Sequence, residues 1–162
     1  VFSCFTGRAD CDMKRLKSSN IQDFFDGNRW IIVRRKKTAT SSNVMLLDIP
    51  KMIIEKYAGL SKDGKVFPVP SNTICNDSLK RISQLIDCLV EKKVTFHLAR
   101  HTFATLFLSE GVPLESLSKM LGHKNIATTQ IYAKILNEKV GKDMQKVSHK
   151  FKGMEQSFVS QL

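Results

Sequence analysis

Apolar residues recur along this chain in two rhythms, one helical and one of strand type. Cys11, Met13, Leu16 and Ile21 fall to one side and Lys14, Arg15 and Lys17 to the other, which predicts an amphipathic helix over residues 9–17. Asp26-Gly27-Asn28 is a turn signal. Trp30-Ile31-Ile32-Val33 and Val44-Met45-Leu46-Leu47 are dense in strand formers. Between them lie Arg34-Arg35-Lys36-Lys37-Thr38 and small polar residues up to Asn43. The two runs therefore predict a β-hairpin with a basic, mobile tip.

The helical rhythm then dominates. Pro50 opens a short helix with Met52, Ile53, Tyr57 and Leu60 at helical spacing. Gly59, Gly64, Pro68 and Pro70 punctuate a loop with a short strand at Val66-Phe67. Ser71 or Asn72 caps a helix running to about Val90, with Leu79, Ile82, Leu85, Ile86 and Leu89 as its core stripe. Thr95 leads a helix that stops at Gly111, and Pro113 starts another that stops at Gly122. A short helix over 126–130 precedes Ile131-Tyr132, and an amphipathic helix covers 137–149. The sum is an α+β domain, mainly α with a small antiparallel β-sheet, over residues 1–150, with a C-terminal tail over 151–162. The chain starts without Met and directly in an apolar stretch, as a piece of a longer protein does.

Charge narrows the function. The chain of 162 residues carries 26 Lys and Arg against 15 Asp and Glu, a formal net charge of +11. Such a surplus favours polyanions, because neutralised phosphates release condensed counterions. The partner class this implies is nucleic acid. Cys4, Cys11, Cys75 and Cys88 form no C-x-x-C pair and no cluster with zinc-ligand spacing, so reduced thiols in a cytosolic protein are expected. No apolar run approaches the roughly 18 residues of a membrane span.

Three features carry chemistry. His97-Leu98-Ala99-Arg100 places a His and an Arg at i and i+3, on one helix face. Leu121-Gly122-His123 places a His at a helix end, and Tyr132 follows nine positions later. This ordered set resembles the tyrosine recombinase family, the phage integrases, whose C-terminal box is H-x-x-R, then L-G-H, then a nucleophilic Tyr. His101-Thr102-Phe103-Ala104-Thr105 and Thr128-Thr129 match the words around the box. Within the family, the chain is most similar to integrases of mobile elements in Bacteroides-type bacteria.

The resemblance implies the family's catalytic-domain fold and the cutting and rejoining of DNA through a 3′-phosphotyrosine on Tyr132. It implies that Arg100 clamps the scissile phosphate, His97 is the acid/base group near the tyrosine, and His123 donates a hydrogen bond to phosphate. A Lys on the hairpin, marked by a following Thr, protonates the 5′-oxygen; Lys37 fits, with Lys36 second. Arg34, Arg35 and Lys36 are expected as contacts to the DNA backbone. The bond energy is stored in the adduct, so no ATP, metal or cofactor is implied. The partners implied are double-stranded DNA and other protomers of a recombination tetramer, in the bacterial cytoplasm. An N-terminal core-binding domain, usual in the family, is absent from this sequence. Type IB topoisomerases share the chemistry, but the Leu-Gly-His box favours a recombinase.

One segment departs from the pattern. The family has a further Arg in T-G-L-R-x-x-E/D, whereas this chain reads Thr6-Gly7-Arg8-Ala9-Asp10-Cys11-Asp12. Ala9 stands where the Arg belongs and Arg8 one position early, about 100° away on a helix. Either Arg8 still reaches the phosphate, or the chain is a DNA-binding module of this fold with impaired cleavage. Asp12 is expected to support the neighbouring Arg or cap locally. His101 is expected to be structural and to face away from His97, Trp30 to lie in core or sheet face, and Tyr57 to be no rival nucleophile.

Overall fold

The computed structural model describes residues 1–61, 63–85 and 94–133, with 141, 144, 145 and 148. The tail over 151–162, most of the helix expected over 137–149 and the end of the one expected to reach Val90 lie outside the described residues.

Two short helices open the chain, α1 at Phe2–Thr6 and α2 at Asp10–Met13. Three antiparallel strands follow, β1 at Ile21–Asp23, β2 at Arg29–Arg34 and β3 at Ser41–Met45, in spatial order β1-β2-β3. The helices α3 (Asp48–Lys56), α4 (Asn72–Leu85), α5 (Phe96–Ser109), α6 (Leu114–Leu121) and α7 (Ala127–Ala133) complete the described elements. The domain is mainly helical with one small antiparallel sheet, as the apolar pattern predicts. Among the described residues no helix is long and apolar enough to cross a membrane.

Several elements differ from the pattern. The helix expected over 9–17 ends at Met13. Beyond it the Val66 N–H donates to the Leu16 carbonyl (2.9 Å) and the Ser18 N–H to the Gly64 carbonyl (3.0 Å). That tertiary pairing, with its bridge between Lys17 and Lys65, pulls the chain out of helical geometry. It is also all that remains of the strand expected at Val66-Phe67. Strand β1 pairs Ile21 with Ile31 and is too short to show a period of its own. On α4 the expected core stripe is not buried as a whole, since Ile82 is 52% and Leu85 85% exposed. Tyr132 lies within α7 rather than after it.

Two apolar clusters hold the elements together. Phe2, Met13, Leu16, Ile31, Leu46, Val66 and Phe67 form one. Val44, Phe103, Ala104, Leu108, Leu117, Leu121 and Tyr132 form the other. Ile31 and Val44 are register partners on β2 and β3, so the sheet ties one cluster to the other. Helix α1 packs on α5, and α6 packs on β3, α5 and α7.

Two glycines let these parts meet. Gly7 ends α1 in the left-handed region, at φ 64. A Cβ there would stand 2.7 Å from Cδ1 of Phe103, so only glycine allows the α1 end to lie on α5. Gly122 ends α6 at φ 61, its N–H donating to the Lys119 carbonyl and the His123 N–H to that of Ser118. Its own Cβ would meet Arg35 Cδ at 2.7 Å and Ser42 Cβ at 2.9 Å.

Phe103 is fully buried beneath the Gly7 turn. We predict that Phe103→Ala costs about 3–5 kcal/mol through lost transfer energy and the cavity left behind. Urea unfolding measures this, and a loss under about 1 kcal/mol would show that α1 does not seat on α5 as described.

Candidate active site

Helix α5 positions His97 and Arg100. Asn76 of α4 accepts the Phe96 N–H at 2.8 Å, satisfying one donor left open at the helix start. His97 is exposed and Arg100 is 4% exposed. Arg100 donates through Nη1 to the Gly7 carbonyl (2.6 Å) and through Nη2 to the Leu121 carbonyl (2.5 Å). Both carbonyls terminate helices, where partial negative charge favours a cation. Burial, then the Arg35 charge, lowers the Arg100 pKa to about 10, partly offset by Tyr132 and Asp12.

The turn after α6 delivers His123. Its Nε2 lies 3.0 Å from Arg100 Nη2, and its Nδ1 lies 2.8 Å from Thr129 Oγ1. A guanidinium only donates, so Nε2 accepts and the proton sits on Nδ1, facing Thr129. A hydroxyl both donates and accepts. Thr129 therefore keeps its bond if the proton moves to Nε2, the tautomer needed to donate to a phosphate. Burial, then Arg100 and Arg35, lowers the His123 pKa to about 4, so the ring is neutral at pH 7.

Tyr132 lies on α7 with Thr129, three residues apart on one face. The residue is 3% exposed, and its ring meets that of His101 edge-on at 5.4 Å between centroids. Burial raises the Tyr132 pKa, opposed by Arg100 and Arg35. The phenol is thus a weak nucleophile until a base takes its proton. His101 in turn meets His97 at 4.7 Å. The expectation that His101 faces away from His97 is corrected: a separation of four residues puts both on one helix face. Burial, then His101, Arg100, Lys37 and Arg35, lowers the His97 pKa. The charges of Arg100 on the same helix and of Lys37 and Arg35 on the hairpin thus reach His97.

The hairpin tip is held rather than free. The Arg35 N–H donates to the Thr40 carbonyl (3.0 Å) and Ala39 is bent to φ 54. Thr38 Oγ1 donates to the Gly122 carbonyl at 3.0 Å. Asp12 accepts the Lys36 N–H at 3.1 Å and Arg35 Nε at 3.3 Å. Strand alternation explains the side chains: Ile31, Val33 and Arg35 share the inner face, and Arg34 and Lys36 point outward. Arg34, Lys36 and Lys37 are exposed, as contacts to a DNA backbone require. Arg35 is not on that surface. It is 8% exposed and paired with Asp12.

Arg8 differs from the helical argument as well. Gly7 is left-handed and Ala9 is extended, so Arg8 lies between two helices and no 100° step applies. Its side chain is 1% exposed, with Nη2 donating to the Ser42 carbonyl at 3.1 Å. Burial lowers its pKa to about 10; Asp12 opposes this, and Arg100 and Arg35 add to it. Arg8, Arg35, Arg100 and Asp12 therefore form one buried charged cluster. Ala9 borders a cleft lined by Cys11, Phe96 and His97. Sequence reasoning missed the inward turn of Arg35, legible in the 31-33-35 alternation, and the support from Thr129, legible in its spacing from Tyr132.

The comparisons with known proteins agree with one another. The family model described as "Phage integrase family" matches residues 11–139. Tyrosine recombinase XerA of Saccharolobus solfataricus is 34% identical over 122 residues, which is 75% of this chain and 40% of that protein. Tyrosine recombinase XerD of Listeria monocytogenes is 43% identical over 60 residues, 37% of this chain and 20% of that protein. The chain thus spans about two fifths of the XerA relative. A crystal structure of XerA recombinase shares the fold at TM-score 0.69 and 23% identity, over 88% of this chain and 54% of that one. A Tn1549 transposon integrase in complex with transposon right end DNA does so at TM-score 0.67 and 17% identity, over 91% and 57%.

Asp12→Asn leaves three guanidinium groups without their carboxylate, and breaking such a buried pair costs about 3–5 kcal/mol; an unchanged urea midpoint would contradict the pairing. His123 has a folded pKa of about 4, below its ordinary 6.5. As pH falls from 6.5 to 4 the unfolded chain gains a proton that the folded chain refuses, so stability is lost across that window. We expect His123→Gln to flatten this part of the melting profile, and an identical slope in wild type and variant would refute the assignment.

Proposed function

The chain belongs to the phage integrase family, and from that premise we propose that it is a site-specific recombinase catalytic domain, spanning residues 1–150, that cuts and rejoins double-stranded DNA through Tyr132. The observation that carries this reading is the convergence of the ordered set. Arg100 bonds His123 at 3.0 Å, and His101 links His97 to Tyr132 through ring contacts of 4.7 and 5.4 Å.

The chemistry balances without a cofactor. Tyr132 Oη attacks the scissile phosphorus as its proton passes to a base, with His97 the candidate. A P–O bond forms to Tyr132 and the P–O5′ bond breaks. The leaving 5′-oxygen takes a proton from Lys37 at the hairpin tip. Arg100 holds charge that builds on the non-bridging oxygens, an effect worth about 3–4 kcal/mol for one well-placed donor. His123 donates from Nε2 once its proton shifts, with Thr129 adapting. Arg34 and Lys36 face outward to flanking phosphates. Rejoining is the reverse sequence with a new 5′-hydroxyl.

The wider setting is part of the proposal. The chain spans two fifths of its XerA relative, and we assign to the whole protein a core-binding domain, a tetramer on paired duplexes and a place on a mobile element in the bacterial cytoplasm. A second reading, a DNA-binding module with impaired cleavage, is favoured by one observation, the alanine at position 9.

A nicked suicide duplex carrying the junction sequences next to the gene decides between them. We expect a covalent protein–DNA adduct on a denaturing gel, lost in Tyr132→Phe. DNA binding without any adduct would favour the second reading.

A further inference from the structure

We propose that Arg35 is the second guanidinium that holds the scissile phosphate, standing in for the arginine missing at position 9. The inference rests on the recombinase reading above and deepens it by assigning the anion seat of that site.

Buried charge around Arg35 is out of balance. Arg8, Arg35 and Arg100 are 1%, 8% and 4% exposed, and the carboxylate set among them is Asp12, at 8%. Three cations face one anion in a space largely closed to water, where uncompensated charge is costly. An anion of about one charge, such as a phosphodiester, reduces the excess.

The three guanidinium groups also differ in the donors they have left. Arg8 spends Nη2 on the Ser42 carbonyl, toward β3, and its Nε is buried out of reach of solvent and, among the described residues, without a partner. Arg100 spends Nη1 on Gly7 and Nη2 on Leu121 and His123. Among the described residues, Arg35 hydrogen-bonds through Nε alone, to Asp12. Its two terminal nitrogens, with four N–H groups, are left for a ligand.

Cγ and Cδ of Arg35 lie against Gly122, 3.1 and 2.7 Å from where a Cβ would stand. Gly122 sits between Leu121, which holds Arg100, and His123. Asp12 fixes Nε and the neighbouring backbone N–H together, so the side chain is ordered before any ligand arrives. The charge of Arg35 is felt at His97, Arg100, His123 and Tyr132 alike. Lys37 is two residues away, so one hairpin delivers both the phosphate clamp and the proton donor.

The test compares wild type, Arg35→Gln, Arg35→Lys and the double variant Ala9→Arg/Arg35→Gln on two suicide duplexes. One carries the natural scissile phosphate. The other carries a methylphosphonate there, which lacks the negative charge a guanidinium neutralises. We expect Arg35→Gln to slow adduct formation on phosphate by about 100-fold or more and to recover most of that loss on methylphosphonate. Arg35→Lys should fall between, because Lys keeps the charge but not the fork. Ala9→Arg should restore part of the rate on phosphate. Equal losses on both duplexes, or no loss on either, overturn the proposal, because a merely structural arginine does not distinguish the two substrates. No adduct in wild type would remove the recombinase reading itself and this inference with it, an outcome read without any Arg35 variant.

Discussion

Asp12 must serve more positive charge than one carboxylate can neutralise, and the placement of the site follows from that shortage. Arg35 pairs with it directly at 3.3 Å, and Arg8 and Arg100 feel it through space. Arg8 and Arg100 turn to backbone carbonyls, those of Ser42, Gly7 and Leu121. Each of these belongs to a different part of the chain, on β3, at the end of α1 and at the end of α6. The same hydrogen bonds that make buried arginines tolerable thus join helices and sheet around one point. Unmet positive charge in a buried cluster is a local departure from best stability of the kind that functional sites commonly show.

Backbone geometry makes this convergence possible. Gly7 and Gly122 turn left-handed where a side chain would collide with Phe103 and with Arg35. The carbonyls of Gly7 and Leu121 are thereby free at helix ends, aimed at Arg100. The hairpin is drawn down to the same place by Thr38 on the Gly122 carbonyl and by the Lys36 N–H on Asp12. Lys37 at its tip stays exposed, and its charge reaches His97. Thr129, fully buried, holds His123 on one side while Arg100 holds it on the other. Proton movement across the ring needs no rearrangement of α7, which carries Tyr132.

Much of this was legible in the sequence where local chemistry decides. Gly111, Pro113 and Gly122 punctuate α5 and α6 as expected, and the β2–β3 hairpin forms, although β3 begins at Ser41, within the polar stretch expected to be tip, and ends at Met45. The His97, Arg100, His123 and Tyr132 set is legible in the sequence through its order and spacing. What the sequence hid depended on distant partners. The helix over 9–17 is cut short because Leu16 and Ser18 bond the segment around Val66 and Gly64. The tip expected to be mobile is tied to Asp12 and Gly122, 23 and more residues away. Arg8 looked misplaced because a helix was assumed where the backbone is a left-handed turn followed by an extended residue. Arg35 looked like one more surface cation because four basic residues stand together. The alternation from Ile31 through Val33 was the available sign that it turns inward.

The central claim is that this buried cluster is an anion seat. The most direct measurement follows the His123 ring by NMR through a pH titration, with and without inorganic sulfate at constant ionic strength. Burial holds the His123 pKa down to about 4, and the charges of Arg100 and Arg35 add to it, so an anion seated between the two arginines offsets the part that is repulsion. The account predicts a titration midpoint that moves upward as sulfate is added and then saturates. A midpoint that stays fixed at every sulfate concentration would contradict it.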